Sequence, residues 1–416
     1  MWKRWRIRIL LFLAVLGPGF ITANVDNDSG GILTYSQAGA QYGYTLLWTM
    51  IPITIALIVV QEMCARMGVV TGKGLSDLIR EEFGLRLTVV LMVMLVVVNY
   101  TNVVTEFIGI AGSMHLFHVT KFISVPVCAA AVWYMVVRGS YKSTEKIFIV
   151  ASLVYICYIF AGVLSQPDWH DALLATVKLP DRSAWSDKAY IYMAIGVIGT
   201  TIAPWMQFYL QSSVVEKGIR VKDYAASRLD VIVGSFFTDI IAWFIVVACA
   251  ATLFVHGMGA IQVAADAAEA MRPLAGDYAF ILFAFGLFNA SLFAASILPL
   301  STAYTVCEGL GVESGVDKSF REAPFFYWLY TLLIAGGALA VLLLPDSQLI
   351  NVAILSQVLN GVLLPVVIIL MLLLINRTDL MGEHKNSRLW NVIAWSTSII
   401  VIGMTGAMLW GMIPGH

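Results

Sequence analysis

The chain has 416 residues, of which 60% are hydrophobic and only 12% charged, and its formal net charge is −1. A soluble domain carries about 25% charged residues, so these values exclude a water-facing globule. The near-neutral charge excludes a nucleic-acid partner.

The elements are apolar runs, each near the roughly 20 residues that span hydrocarbon. The basic cluster Lys3, Arg4, Arg6 and Arg8 precedes ILLFLAVLGPGF, which is similar to a secretory signal. Apolar character resumes past Asp28 as GILTYSQAGA, so this region reads as an uncleaved first span over 9–41, interrupted at DNDSGG. A second span follows at 45–66. In the next loop, VVTGKGLSDLIREEFG, Leu75, Leu78, Ile79 and Phe83 lie at helical spacing among charges, which predicts a short interfacial helix. Spans three to five fall at 87–113, 121–137 and 146–165. The segment from Gln166 to Lys188 offers no ligand pattern in DWHDAL or LPDRSAWSD. The sixth span, 189–213, is interrupted at GTTIAP. Spans seven to eleven fall at 229–256, 278–306, 324–344, 348–375 and 389–413. The whole is one transmembrane domain, 1–413: a first repeat over 9–165, a second over 189–375, and an extra helix over 389–413. Cys64, Cys128, Cys157, Cys249 and Cys307 show no CxxC spacing and read as small apolar packers.

Charge tests the count. With the N-terminus cytoplasmic, 20 of the 25 Lys and Arg fall in cytoplasmic segments, and Lys121, Lys178, Arg182, Lys188 and Arg272 fall outside. That is the positive-inside asymmetry of a multi-pass protein of the cell membrane, N-terminus in and C-terminus out.

The two interruptions matter most. Asp26, Asn27, Asp28, Ser29, Gly30 and Gly31 break span 1, and Gly199, Thr200, Thr201, Ala203 and Pro204 break span 6. Gly costs a helix about 1 kcal/mol and Pro about 3, so both sites favour unwinding. Unwound backbone at membrane depth lines a cavity or is buried in protein. Spans 1 and 6 each open a set of five, and interrupted spans at matching positions of two halves point to a transporter site. The expected architecture is all-α, with eleven transmembrane helices in a 5+5 inverted repeat plus one.

Other polar groups inside spans are functional by default. Asp26 and Asn27 either widen an acidic trap or cap a half-helix. Asp239 in GSFFTDIIAWF either lines the ion path or pairs with a hydroxyl such as that of Thr238 or one on another span. Glu106 adjoins the site or is the remnant of a relay. Glu62 and Arg66, spaced i,i+4, read as a structural pair. Asn289, Asn360 and Ser356 read as interhelical hydrogen bonders.

The motifs GPGF, DNDSGG, QAGAQYGY, QEMCARMGVVTGKGLSDLIREEFG, GTTIAPWMQFYLQS and ILSQVLNGVLLP occur in order on these spans and together resemble the Nramp divalent-metal transporters. The resemblance covers nearly the whole chain. It implies the LeuT-type fold and a metal site between the breaks of spans 1 and 6, with span 10 contributing Gln357. It places Thr200 where the family supplies a backbone carbonyl. The family's span-1 motif, Asp-Pro-Gly-Asn, here reads Asp28-Ser29-Gly30-Gly31: the carboxylate stays, and Gly31 replaces the Asn ligand. The family's span-6 Met-Pro-His reads Ala203-Pro204-Trp205. In span 3, Val103 replaces an acid and Glu106 remains.

These departures resemble the Nramp-related magnesium transporter branch. A thioether favours soft transition metals, whereas Mg²⁺ takes hard oxygen ligands. Mg²⁺ also dehydrates reluctantly and keeps waters. Asn to Gly and Met to Ala both shorten side chains, which predicts a cavity enlarged for a partly hydrated ion.

Proton symporters of the family use span-3 acids and span-6 histidines. Here all six histidines fall in loops or at termini. Moving one charge through 100 mV is worth about 2.3 kcal/mol. A divalent ion at roughly 150 mV therefore gains about 7 kcal/mol, enough for an inward gradient near 10⁵. Potential-driven import of Mg²⁺, with Mn²⁺ as a further cargo, is the first expectation. A proton-coupled Mn²⁺/Fe²⁺ symporter is the second, and an amino-acid or organic-cation carrier on the same fold the third. The acidic span-1 break repels a substrate carboxylate. No nucleophile–base pair or cofactor motif points to an enzyme, and no obligatory protein partner is expected.

Overall fold

The computed structural model describes residues 17–181, 184–258 and 261–411. The basic cluster before residue 9, Arg182 and His416 lie outside the described residues. Among the described residues the regular structure is helical throughout: α1 (Pro18–Asn24), α2 (Ser29–Tyr42), α3 (Met50–Thr71), α4 (Leu75–Phe83), α5 (Leu85–His115), α6 (Lys121–Arg138), α7 (Tyr141–Val154), α8 (Ile156–Leu164), α9 (Trp169–Val177), α10 (Lys188–Thr201), α11 (Pro204–Glu216), α12 (Tyr224–Cys249), α13 (Ala264–Ala275), α14 (Asp277–Leu310), α15 (Pro324–Leu343), α16 (Asp346–Ile375) and α17 (Arg388–Gly411).

Local sequence sets these boundaries. Pro18 and Pro204 each open a helix at its first turn, where a missing N–H costs nothing. Gly72, at φ 65°, closes α3 in the left-handed conformation that glycine adopts freely. The loop expected to form an interfacial helix does so as α4, with Leu75, Leu78 and Ile79 buried. The segment that gave no ligand pattern contains α9, whose start brings exposed Asp168, His170 and Asp171 together.

Nine helical runs among the described residues are long and apolar enough to cross a membrane. One of them, Ser29–Thr71, joins the second half of span 1 to span 2 through a 3₁₀ turn at Gly43–Thr49, and α17 forms where the eleventh span is expected. Val93, Phe122, Val127, Tyr134 and Leu332 are exposed and present an apolar surface to lipid.

Lipid tails are as apolar as Leu, so helices in a bilayer associate through close packing of small residues and interhelical hydrogen bonds. A Cβ on Gly19 would lie 2.8 Å from the Val231 nitrogen, and one on Gly234 would lie 2.6 Å from the Phe20 Cα, so α1 and α12 meet backbone to backbone. Asn102 on α5 and Asn360 on α16 exchange two side-chain hydrogen bonds at 3.1 and 2.9 Å. Thr105 meets Ser356 at 3.3 Å, and Asn289 donates to the Ala151 carbonyl. The Glu62–Arg66 pair forms at 3.0 Å, with Arg66 also reaching Asn386 and Tyr224 donating to Glu62. All five cysteines are buried thiols.

The end of the bundle that carries the basic loops is closed. Asp230 on α12 accepts hydrogen bonds from the amides of Gly17, Gly19 and Phe20 at 2.7, 2.8 and 3.1 Å, capping α1. Lys217 pairs with Glu145 at 2.6 Å beside this cap, and Tyr304 donates to Glu216.

Candidate functional site

Both interruptions are real breaks. α1 stops at Asn24, and α2 restarts at Ser29 with Asp28 as its N-cap, whose Oδ1 accepts from the Gly31 amide at 2.7 Å. α10 stops at Thr201, Ala203 is extended at φ −78° and ψ 143°, and Pro204 opens α11. The two breaks are adjacent: Tyr35 on α2 meets Thr201 Oγ1 at 2.8 Å. Two broken helices thus meet at one place, an arrangement that can bind an ion.

An outer cavity of about 780 Å³ leads here from the end of the bundle opposite the closed one. Leu33, Gln37, Tyr42, Tyr192 and Met193 line its walls, while Gly30, Thr200 and Gln357 lie at its inner reach. Gln357 comes from α16, as expected of span 10, and its amide packs on the Gly30 Cα. A Cβ placed on Gly30 would sit 3.4 Å from Asp28 Oδ1 and 3.3 Å from the Gln357 amide carbon, so these two groups converge on one point. Asp28, Thr200, Ala203 and Gln357 therefore belong to one region, although Asp28, Gly31 and Ala203 do not line the open cavity.

The expected role of Gly31 needs correction. The place of its missing side chain is not open space, because the Asp26 carbonyl oxygen lies within 2.4 Å of where a Cβ would sit. A shortened side chain at this position lets the Asp26 backbone fold inward and does not widen the cavity. Thr238 holds Asn27: the Asn27 Nδ2 donates to the Thr238 carbonyl at 3.1 Å and to its hydroxyl at 2.7 Å. The hydroxyl beside Asp239 comes from another span, Thr54 on α3, and its proton goes to the Met50 carbonyl at 2.7 Å. Both Asp239 oxygens lack a hydrogen-bond partner. Nor do Asp26 and Asn27 cap the half-helix, since Asp28 does that.

Glu106 on α5 accepts from the Ser29 amide at 3.1 Å, so a second carboxylate holds the start of α2. Two residues escaped sequence reasoning. Tyr35 lies seven residues past Asp28, two helical turns on the same face, which is the signal that could have found it. Asp230 gave no such signal, because its partners are backbone amides 210 to 213 residues away.

Broken helices at a buried acidic site inside a multi-pass helical bundle define a transporter of the LeuT-type fold. The chain belongs to the Nramp family: residues 19–411 match the family described as natural resistance-associated macrophage protein-like. It is 27% identical to a Deinococcus radiodurans protein named "Divalent metal cation transporter MntH", over 98% of this chain and 91% of that one. It is 27% identical to a protein of the same name from Nostoc, over 96% and 92%. Among solved structures, an Eremococcus coleocola manganese transporter mutant aligns with a TM-score of 0.76 at 19% identity, covering 96% of this chain and 88% of that one. MhsT in complex with L-phenylalanine aligns with a TM-score of 0.58 at 15% identity, over 94% and 97%. These two likenesses show the fold alone.

Proposed function

We propose that the protein imports a hard divalent ion, Mg²⁺ ahead of Mn²⁺, by alternating access driven by membrane potential and without a coupled proton. The relatives named as divalent metal cation transporters support the cargo class. The observation that carries the choice of ion is the donor chemistry at the breaks. The Asp28 carboxylate, the Gln357 amide oxygen and backbone carbonyls at Thr200 and Ala203 are all oxygen donors, and Ala203 stands where a sulfur donor would come from. One carboxylate with neutral oxygens suits an ion that keeps part of its water shell. The outer cavity, polar at Gln37, Thr34 and Gln262, has room for a hydrated ion to approach. In the N-in orientation this cavity faces outside and the Asp230 cap faces the cytoplasm, so the arrangement is outward-facing.

The absence of proton coupling rests on the relay positions. Described histidines lie at helix ends or in loops: His115 ends α5, His256 follows α12, and His170 and His384 are in surface segments. The buried Trp205 occupies the family's histidine position.

A second reading, a proton-coupled Mn²⁺ symporter, draws on the relatives named as divalent metal cation transporters MntH. One experiment separates the two: uptake of Mg²⁺, Mn²⁺ and Ca²⁺ into proteoliposomes carrying a pH dye. Mg²⁺ uptake without acidification of the lumen is the expected outcome. Metal-dependent acidification at a fixed ratio to Mn²⁺ would establish the symporter instead.

A further inference from the structure

Four carboxylates, Asp26, Asp28, Glu106 and Asp239, crowd the break of the first span. None forms an ion pair with a described Lys, Arg or His. Asp28 and Glu106 have backbone amides to satisfy them. Asp26 and Asp239 do not. Asp26 is 3% exposed and Asp239 5%. Asp26 Oδ1 and both Asp239 oxygens have no hydrogen-bond partner. Buried polar atoms are almost always paired, and an unpaired buried charge is far costlier than an unpaired dipole.

These two carboxylates sit on elements that pack against each other, Asp26 in the break and Asp239 on α12. The alignment is built in. Asn27, beside Asp26, is clamped to Thr238, beside Asp239, by two hydrogen bonds, and this fixes the register of the break against α12. Hydroxyls complete the surround. Tyr35 donates to Asp26 Oδ2 at 3.3 Å and meets Thr201 at 2.8 Å, and Thr54 on α3 flanks Asp239. The Asn27 Oδ1, fully buried, is also unpartnered. Every available donor is oxygen, the set a hard cation takes.

We propose that Asp26 and Asp239, with Tyr35 and Thr201, form a second cation seat beside the one at Asp28, and that both seats are filled together. This rests on the reading of Asp28 as the first seat. Charge balance supports joint occupancy. Ionised, the four carboxylates carry four negative charges; one divalent ion at Asp28 leaves two uncompensated, and a second ion at Asp239 neutralises them. The second seat lies off the outer cavity, since neither Asp26 nor Asp239 lines it. An ion therefore reaches it past Gly30 and Thr200. It is a resident or queued ion, and an arriving one can push it onward.

The test is the stoichiometry of Mn²⁺ bound at equilibrium to the full-length protein in lipid nanodiscs, with Mg²⁺ as competitor. The wild type is expected to bind two ions per chain, and D28N and D239N one each. A single ion in the wild type, retained by D239N and lost in D28N, overturns the second seat and leaves the transport reading standing. Two ions retained by D28N, with uptake unchanged, overturn the transport reading itself. Should D239N fail to give a monodisperse protein, the pair Y35F/T201V removes only hydroxyl donors. It is expected to weaken one of the two binding steps about tenfold and leave the other in place; two unchanged steps overturn the proposal.

Discussion

At Gly31 the lesson is about what replaces a side chain. The space belongs to the Asp26 carbonyl, so a longer residue cannot simply be put back. We expect G31N to lower thermal stability, because its Cβ collides with fixed backbone, and to leave ion preference little changed. A203M adds a soft donor at a buried position beside the break. It should shift uptake towards Mn²⁺ over Mg²⁺ by about tenfold, roughly 1.4 kcal/mol, measured in competition assays. D28A should remove divalent uptake by more than the roughly 10–100-fold that losing an outer-shell partner costs a metal site. Asp28, Thr200 and Gln357 were legible in the sequence because they are tied to Gly, Pro and motif order. The unanswered oxygens of Asp239 were not, because a buried carboxylate looks the same on paper whether or not a hydroxyl answers it. The clamp between Asn27 and Thr238 joins positions 211 residues apart, and nothing local announces it.

Among the elements, α1 is the one whose start a single side chain caps. It is seven residues long, free of its continuation α2, and its N-terminus is held by one side chain through three amides. A hydrogen bond to a charged group contributes about 1.5–3 kcal/mol, so Asp230 is a large share of what keeps this end shut. D230A is expected to open it. A cysteine placed at buried Thr22 should then react faster with a membrane-impermeant thiol reagent supplied from the basic side, and an unchanged rate would show that Asp230 does not hold the end. The Asn102–Asn360 pair binds α5 to α16, and N360L should cost about 1–3 kcal/mol by stranding the Asn102 amide. Element positions were readable from apolar runs and the two breaks. The short helices α9 and α13 were not, because they lie in polar connections where neither periodicity nor length separates helix from loop.

For the whole molecule, a divalent ion crossing alone moves two charges. Proteoliposomes clamped with an inside-negative potassium potential should therefore take up Mg²⁺ faster as the potential grows, by a steady factor per step of voltage. Uptake indifferent to potential would contradict the proposed uniport. The fold class was legible because a bilayer permits few solutions.

The closed end has one further consequence. Its contacts are an ion pair, a carboxylate on amides and tyrosine hydroxyls, and Lys217 and Glu145 keep partial contact with solvent. Separating them exchanges polar partners for water but also uncovers the buried Phe20 and Ile21 of α1, so the opening step should carry a positive heat capacity and a curved van't Hoff plot. The same contacts are open to Debye screening. In the proposed orientation that end faces the cytoplasm, so the internal ionic strength of the cell would act on the part of the gate that water reaches, the Lys217–Glu145 pair, without any ligand binding to it.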